Sequence, residues 1–268
     1  LPPPKGSGFP PMANERILYM NTTIKHCTFK KGAPKICLPI TSTTIPSVRQ
    51  TLLAYREIPC DVIELRIDFL SDIEDLPANM AELYALCGEK VLLVTFRTKQ
   101  EGGNQDITKE DYFDLYAKLI CTHAVDILDV EAYFLDKETA RKLIALAHEN
   151  HIAIVTSNHD FTSTPEYEEI LSRLSFMKSL GTDITKIAYM PVTAEDVLTL
   201  LRATNYAVTH LSKPIISMSM GPLGLVTRIS GETFGSCMTF GKTGTGSAPG
   251  QLEYHDLKTI LQILHNNK

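Results

Sequence analysis

Two residues whose side chains move protons or attack carbonyl groups lie in apolar, strand-like segments of the sequence. His159 is near the end of "AIVTSNHD" (153–160), and Lys186 lies inside "ITKIAYM" (184–190). A histidine titrates near neutral pH and can serve as both acid and base. Burial of a lysine favours the neutral amine, a nucleophile towards ketones and aldehydes. Both residues also have a structural interpretation, the lysine pointing outward between helices and the histidine as a hydrogen-bonded structural group.

Charged residues interrupt two further strand-like segments. In "VIELRID" (62–68), Glu64, Arg66 and Asp68 alternate with apolar residues, which places all three on one face of a strand. A solvated edge strand would show the same alternation. The segment "VLLVTFR" (91–97) also ends in a charge, Arg97, and the loop after it carries Glu101. Because neighbouring strands end in charges too, we favour an inward-facing site.

Eight apolar or mixed segments could form the strands that position these side chains. They are 36–41, 62–68, 91–97, 125–131, 153–160, 184–190, 214–220 and 237–241. Amphipathic helical segments lie between them, and eight such units fill the length of a (β/α)8 TIM barrel of ~250 residues. A doubly wound open sheet is the alternative architecture. We predict a single barrel domain over 21–268, with a β-hairpin before the first strand closing the bottom of the barrel.

Helix starts are indicated by capping residues. Thr108 and Asp136 each precede acidic residues in a helical pattern, and Thr164 precedes a proline in the segment that ends at Gly181. The proline-rich residues 1–11 show no periodicity, so we interpret 1–20 as a poorly structured leader, native or vector-derived.

Composition excludes several classes of function. A net charge of -5 argues against nucleic-acid binding, and the sequence contains neither a membrane-spanning apolar run nor a signal peptide. The six cysteines are scattered without metal-site spacing and are typical of reduced thiols in a cytoplasmic protein. His148 and His151 lack an evident third ligand, so we predict no metal site.

A glycine-rich stretch near the end, "FGSCMTFGKTGTGSAPGQ" (234–251), contains a "GKT" that suggests a nucleotide-phosphate loop. The spacing is wrong, because five residues separate Gly235 from Gly241 where a phosphate loop has four. The dinucleotide-binding motif does not fit either. If Gly244 and Gly246 were its first two glycines, the third would fall at position 249, which is a proline. We therefore interpret 241–250 as a flexible loop after the eighth strand that folds over the pocket.

The ordered set of motifs resembles type I 3-dehydroquinate dehydratase. It comprises "ELRID", "TFRTKQEGG", "SNHDF", "TKIAYMP", "ISMSMGPLGLVTRI" and "TFGKTGTGSAPGQL". The resemblance extends from about 33 to 264. It implies a (β/α)8 barrel, a cytoplasmic homodimer, and the dehydration of 3-dehydroquinate to 3-dehydroshikimate in the shikimate pathway. It also implies that no cofactor and no metal take part.

The resemblance assigns roles to individual residues. Lys186 forms the imine, His159 is the general acid and base, and Glu64 orients His159 and favours its protonated form. Arg228 pairs with the substrate carboxylate. The remaining substrate-binding positions that it implies are Arg66 and Arg97 on the hydroxyl side, Glu101, Met218, Met220, Phe240, Ser247, Ala248 and Gln251.

Two other functions are compatible with the same residues. A class I aldolase-like barrel would also use a strand-six lysine for a Schiff base, but it usually binds a phosphorylated sugar. A noncatalytic barrel that keeps the pocket as a binding module is the second alternative.

Overall fold

The computed structural model describes residues 21–244 and 246–267, and its main feature is one parallel sheet. A short antiparallel hairpin precedes this sheet. The strands are β1 (Thr22–Ile24), β2 (Cys27–Phe29), β3 (Lys35–Ile40), β4 (Val62–Arg66), β5 (Val91–Thr95), β6 (Ile127–Glu131), β7 (Ala153–Asp160), β8 (Ile184–Tyr189), β9 (Ile215–Ser219), β10 (Met238–Lys242) and β11 (Leu252–Glu253).

The sheet closes into a barrel. Strands β3 to β9 lie side by side in chain order. Strand β10 pairs with the free edge of β3, so it lies at the opposite edge of the sheet from β9. The two ends meet at a bridge between Ile215 and Ser236, where the Cys237 amide donates to the Ile215 carbonyl at 2.8 Å. This closure confirms the (β/α)8 barrel and rules out the doubly wound open sheet.

Helices cover the outside of the barrel. They are α1 (Ile45–Tyr55), α2 (Leu76–Cys87), α3 (Lys109–Cys121), α4 (Lys137–Glu149), α5 (Tyr167–Ser179), α6 (Ala194–His210), α7 (Leu225–Ile229), α8 (Gly231–Phe234) and α9 (Tyr254–Asn266). Thr108 and Asp136 cap α3 and α4 as predicted. The predicted cap at Thr164 is wrong, because α5 begins at Tyr167 and the Thr164 hydroxyl instead donates to the Met190 carbonyl.

Two strands end earlier than their sequence pattern predicts. Strand β4 ends at Arg66, after which residues Ile67–Phe69 form a 3-10 turn, and β5 ends at Thr95. Asp68 therefore lies on a turn and not on the strand face that carries Glu64. From this turn it can fold back onto Arg66.

Alternation along the strands divides the core into two layers. Ile63 and Leu65 face the helices and join the larger cluster between sheet and helices, whereas Val62 faces the barrel interior. Glu64 and Arg66 share the inward face with Val62 because side chains alternate along a strand. The inward orientation of these charges, predicted from their spacing, is confirmed.

The β1–β2 hairpin lies across the N-terminal end of the barrel. Lys25 donates to the Lys90 carbonyl and pairs with Asp126, and Thr22 donates to the Asp183 carbonyl; all three partners precede strands. Cys27 and Phe29 insert into the interior cluster. The hairpin therefore closes the end of the barrel where the strands begin. The predicted leader at 1–20 lies outside the described residues.

Candidate active site

One pocket opens at the C-terminal end of the barrel strands, and it has an empty volume of about 460 Å³. All the site residues predicted from sequence line it except Glu101, which lies behind His159. The lining residues are Glu64, Arg66, Arg97, Gly102, His159, Phe161, Lys186, Ala188, Met218, Met220, Arg228, Phe240, Ser247, Ala248 and Gln251. Active sites of TIM barrels lie at this end of the sheet.

Lys186 is buried in the middle of β8, and only 4% of it is exposed. Its Nζ donates to Asp129 at 2.9 Å, lies 3.5 Å from Glu64, and sits 4.8 Å from the centre of the Phe240 ring. The apolar residues next to Lys186 in the sequence suggested an apolar environment for its amine. The amine instead faces the carboxylates of Glu64 on β4 and Asp129 on β6, which the sequence of β8 alone does not reveal.

Glu64 contacts the lysine and not the histidine. Its Oε1 accepts a hydrogen bond from the Thr95 hydroxyl at 3.0 Å and lies 3.5 Å from Lys186 Nζ. The residue that contacts the imidazole is Glu101, so the prediction that Glu64 orients His159 is wrong. Glu101 is carried by the 3-10 turn Lys99–Glu101 after β5, which places it beside the end of β7.

The Nδ1 atom of His159 lies 2.9 Å from Glu101 Oε2, which also accepts the His159 backbone N–H at 3.0 Å. Burial lowers the pKa of His159 well below its usual range, and the positive charges of Arg97 and Lys186 act in the same direction. This direction opposes the prediction that the protonated form is favoured. A neutral imidazole whose Nδ1–H donates to an ionised Glu101 would leave Nε2 free to accept a proton.

Glu101 has an unusually high proton affinity for a carboxylate. Burial and the nearby charge of Glu131 raise its pKa to about 8, although Arg97 and a hydrogen bond from Asn158 act in the opposite direction. Glu101 and His159 share a hydrogen bond at 2.9 Å, so the protonation of one affects that of the other. A pKa of about 8 allows the Glu101 carboxyl to take up and release a proton near neutral pH.

Arg97 organises the carboxylates beneath the pocket. Its guanidinium donates to Asp129, Glu131 and Ser157 at 2.9 Å and reaches Glu101 at 3.5 Å. Burial alone would lower its pKa, but Asp129, Glu131 and Glu101 outweigh burial and raise that pKa well above its usual value. Arg97 was predicted to bind substrate hydroxyls; in the structure its guanidinium contacts acidic side chains and the Ser157 hydroxyl, and the substrate role stays a prediction.

Asp129 joins the lysine to the arginine. It is fully buried and accepts hydrogen bonds from Lys186, Arg97 and Ser157. Burial alone would raise its pKa, but the charges of Arg97 and Lys186 outweigh burial and hold the pKa below its usual range. Asp129 and Glu131 were not among the site residues predicted from sequence. The alternation in "ILDVE" (127–131), which matches that in "VIELR", is the signal that could have identified them.

Arg66 is held by Asp68. Its Nε and NH2 atoms donate to the two carboxylate oxygens at 2.8 Å each. Asp68 also accepts the backbone N–H of Arg97 and of Asn104, which ties the turn after β4 to the loop after β5. The pair fixes Arg66 at the pocket wall with its NH1 atom directed away from Asp68.

Arg228 is buried without an acidic partner. Only 1% of it is exposed, its NH2 donates to the Pro249 carbonyl at 2.9 Å, and its Nε has no hydrogen-bond partner. None of the described acidic residues forms an ion pair with it. Burial lowers its pKa to about 10. A buried cation with an unused donor is suited to a carboxylate ligand.

The last loop covers the Arg228 side of the pocket. Ser247 and Gln251 hold each other, since the Ser247 amide donates to Gln251 Oε1 at 2.8 Å and Gln251 Nε2 donates to the Ser247 hydroxyl at 3.0 Å. Pro249 accepts from both Arg228 and the Gly221 amide. The loop therefore rests on the Arg228 side of the pocket.

Neither a metal cluster nor a membrane span is found among the described residues. No group of three His, Cys, Asp or Glu side chains there is arranged to hold a metal ion. His148 pairs with Asp183 at 2.8 Å, and the pair lies at the hairpin end of the barrel, away from the pocket. Within 21–244 and 246–267, none of the helices is both long enough and apolar enough to span a bilayer.

The chain is similar to known 3-dehydroquinate dehydratases over nearly its whole length. Residues 36–268 match the profile of the family described as type I 3-dehydroquinase. A 3-dehydroquinate dehydratase of Listeria monocytogenes is 44% identical over 245 residues, which is 90% of this chain and 97% of the relative. Another from Clostridium novyi is 41% identical over 88% of this chain and 94% of the relative.

A solved structure shows the same similarity in three dimensions. The type I 3-dehydroquinate dehydratase of Clostridium difficile with covalently modified comenic acid has a TM-score of 0.88 and 37% identity to this chain. The match covers 93% of this chain and 99% of that structure.

Proposed function

The chain belongs to the type I 3-dehydroquinase family and is a 3-dehydroquinate dehydratase, a hydro-lyase of the shikimate pathway that acts through a Schiff base; we propose that Lys186 forms the imine and that His159 moves the protons. The observation that carries this assignment is their common pocket. Both residues line it, on the adjacent strands β7 and β8. The family assignment leaves no support for an aldolase or a noncatalytic barrel.

The imine forms when Lys186, after its ammonium has lost a proton, adds as the neutral amine to the substrate ketone and the resulting carbinolamine loses water. Asp129 remains ionised beside Nζ and stabilises the positive charge of the iminium. Glu64, which also faces Nζ, takes part in proton transfers at this nitrogen. The iminium withdraws electrons from the adjacent carbon and makes its proton acidic.

His159 removes that proton through Nε2, while Glu101 holds Nδ1. The electron pair moves into an enamine, which expels the hydroxyl group across the ring, and the protonated His159 supplies the proton that converts this group to water. Hydrolysis of the remaining iminium releases 3-dehydroshikimate and restores Lys186. The bonds broken are one C–H and one C–O bond, and no redox change occurs.

Arg228 binds the substrate carboxylate. The support is its burial without an acidic partner and its unused Nε donor. Arg66 and Arg97 contact the hydroxyl side, with Met218, Met220 and Phe240 as apolar walls and Ser247, Ala248 and Gln251 closing the loop over the site.

Reduction with borohydride in the presence of 3-dehydroquinate tests the proposal. We expect intact and peptide mass spectrometry to show one substrate adduct on Lys186. Lys186→Ala should lose both adduct and activity, while Lys178→Ala, which removes an exposed lysine of α5, should behave like wild type. An adduct at another residue, or appreciable turnover by Lys186→Ala, would contradict the assignment.

His159→Ala separates the two roles. General acid–base catalysis typically contributes ~10²- to 10⁴-fold, so turnover should fall by that factor while borohydride still traps an adduct on Lys186. Loss of trapping together with turnover would instead mean that His159 is needed to form the imine.

We also propose that the protein is a cytoplasmic homodimer. The homodimer follows from the family resemblance. The location is supported by the six cysteines, which are all free thiols, as expected in a reducing compartment. The mass of the purified protein from light scattering and its distribution after cell fractionation would test the two parts.

A further inference from the structure

Asn158 links the active site to the helical layer outside the barrel. It lies on β7 between Ser157 and His159, and it is 7% exposed. Its Nδ2 atom donates to Glu101 Oε1 at 3.0 Å. The opposite oxygen of the same carboxylate accepts the His159 backbone N–H and lies 2.9 Å from His159 Nδ1. The two neighbouring residues of β7 therefore hold the two oxygens of one carboxylate.

The orientation of the Asn158 amide is set by two donors outside the barrel. Its Oδ1 atom accepts from Arg173 NH1 at 2.9 Å and from the Tyr189 hydroxyl at 3.1 Å. An arginine nitrogen can only donate. The amide oxygen must therefore face Arg173, and this leaves the NH2 group facing Glu101.

Arg173 is itself held in place. It lies on α5, where its Nε donates to Glu169 at 2.7 Å, one helical turn earlier. Its guanidinium also lies 5.8 Å from the centre of the Tyr189 ring. A chain of hydrogen bonds therefore runs from Glu169 on the surface through Arg173 and Asn158 to Glu101, and from there to His159.

We propose that Asn158 and Arg173 are positioning residues of the dehydration, which hold Glu101 so that its carboxylate keeps the proton of His159 on Nδ1. The proposal rests on the role given to His159 above. In this arrangement Nε2 remains the atom that exchanges a proton with the substrate. Neither positioning residue lines the pocket.

Several charged groups determine how Glu101 titrates. The facing groups are Arg97 at the end of β5, Asp129 and Glu131 on β6, Tyr133 after β6, His159 on β7 and Tyr189 on β8. Arg97 and the Asn158 hydrogen bond favour the ionised carboxylate, whereas burial and Glu131 oppose it. Removal of the Asn158 hydrogen bond therefore raises the pKa of Glu101. The ionised Glu101, which keeps the proton of His159 on Nδ1, is then reached only at higher pH.

The test compares kcat/KM across pH, which reports the free enzyme, for four variants. Arg173→Gln should lower kcat on the order of tenfold, with little change in KM, and move the rising limb of the profile to higher pH. Asn158→Asp should move it further, because it sets a second carboxylate against Glu101. Arg173→Lys should restore part of the loss, since an ammonium can also donate to Asn158. Arg141→Gln is the control, since Arg141 on α4 donates only to the exposed Ser179 carbonyl.

Two outcomes would overturn the proposal. One is a loss of activity that is uniform across pH in Arg173→Gln and Asn158→Asp, which would indicate general structural damage. The other is an unchanged profile in both variants. Borohydride trapping on Lys186 in the wild type separates these results from a failure of the proposed function, because trapping depends on the lysine and not on Asn158 or Arg173.

Discussion

At the scale of single residues, two buried arginines of the pocket stand in opposite environments. Arg97 pairs with Asp129, Glu131 and Glu101, whereas Arg228 has no acidic partner and leaves Nε unused. Taking a charge out of water costs free energy unless a partner compensates it. We therefore expect Arg228 to destabilise the folded protein, and a substrate carboxylate bound there as proposed would compensate its charge.

We expect the same substitution at these two positions to have opposite effects on stability. Arg228→Met should raise the free energy of unfolding by about 1 to 2 kcal/mol, because it replaces an uncompensated buried cation with a side chain of similar length. It should also lower kcat/KM by roughly 30-fold or more, since loss of a buried charge pair costs about 2 kcal/mol or more. Urea unfolding and steady-state kinetics measure the two effects.

Arg97→Met is the matched comparison. It leaves three buried carboxylates without their shared cation, so stability should fall by about 3 kcal/mol. If both variants lose stability to a similar extent, the charge of Arg228 is compensated within the protein. Arg228 would then no longer be expected to bind a carboxylate for lack of an acidic partner.

The residues that face the pocket could be predicted from the sequence more reliably than the side chains that each of them contacts. Glu64 and Lys186 were found because a charge inside an apolar strand is visible locally. Which carboxylate contacts His159 depends on where the turn after β5 ends relative to β7. That relation is set by strand register across the barrel and has no local signal, so the role of Glu101 was assigned to Glu64.

At the scale of elements, the last loop depends on a close approach between backbones. Gly250 has a φ of 80°, and a Cβ there would lie 2.5 Å from the Gly221 carbonyl oxygen. The adjacent Pro249 carbonyl accepts from both Arg228 and the Gly221 amide. The loop can therefore dock on the pocket only when residue 250 lacks a side chain.

Gly250→Ala should raise KM and lower kcat/KM by roughly tenfold or more, because the loop is displaced from the pocket and the substrate is held less well. Gly244→Ala controls for backbone strain. Gly244 has a similar φ of 76°, but nothing lies within 4 Å of a Cβ placed there. Comparable loss of activity in both variants would mean that strain, and not docking against Gly221, is the cause.

The elements themselves were largely predictable, because eight apolar segments separated by amphipathic ones leave few architectures of this length. Their ends were less so. Strand β4 stops two residues before its alternating pattern ends, since Asp68 turns back to bind Arg66. Thr164 has the sequence features of a helix cap, but its hydroxyl binds the end of the neighbouring strand segment at Met190. In both cases a tertiary contact, and not the local sequence pattern, sets where the element ends or begins.

At the scale of the whole molecule, the residues of the active site and the hairpin that closes the barrel lie at opposite ends of the strands. The pocket lies where the strands end, and the β1–β2 hairpin covers the opposite end, where the strands begin. Between them, the interior cluster contains apolar residues from the strands together with Cys27 and Phe29 of the hairpin. Changes to the hairpin should therefore affect folding more than catalysis.

Phe29→Ala tests this separation. Phe29 is fully buried in the interior cluster, and removal of such a ring costs about 3 to 5 kcal/mol. We expect the free energy of unfolding to fall by that amount while kcat, measured where the variant is fully folded, stays near wild type. Thr23→Ala, on the exposed side of the same hairpin, should change stability by no more than about 0.5 kcal/mol. A large drop in kcat for folded Phe29→Ala would show that packing at the hairpin end controls the geometry of the pocket, and the two ends would then have to be treated as one coupled unit.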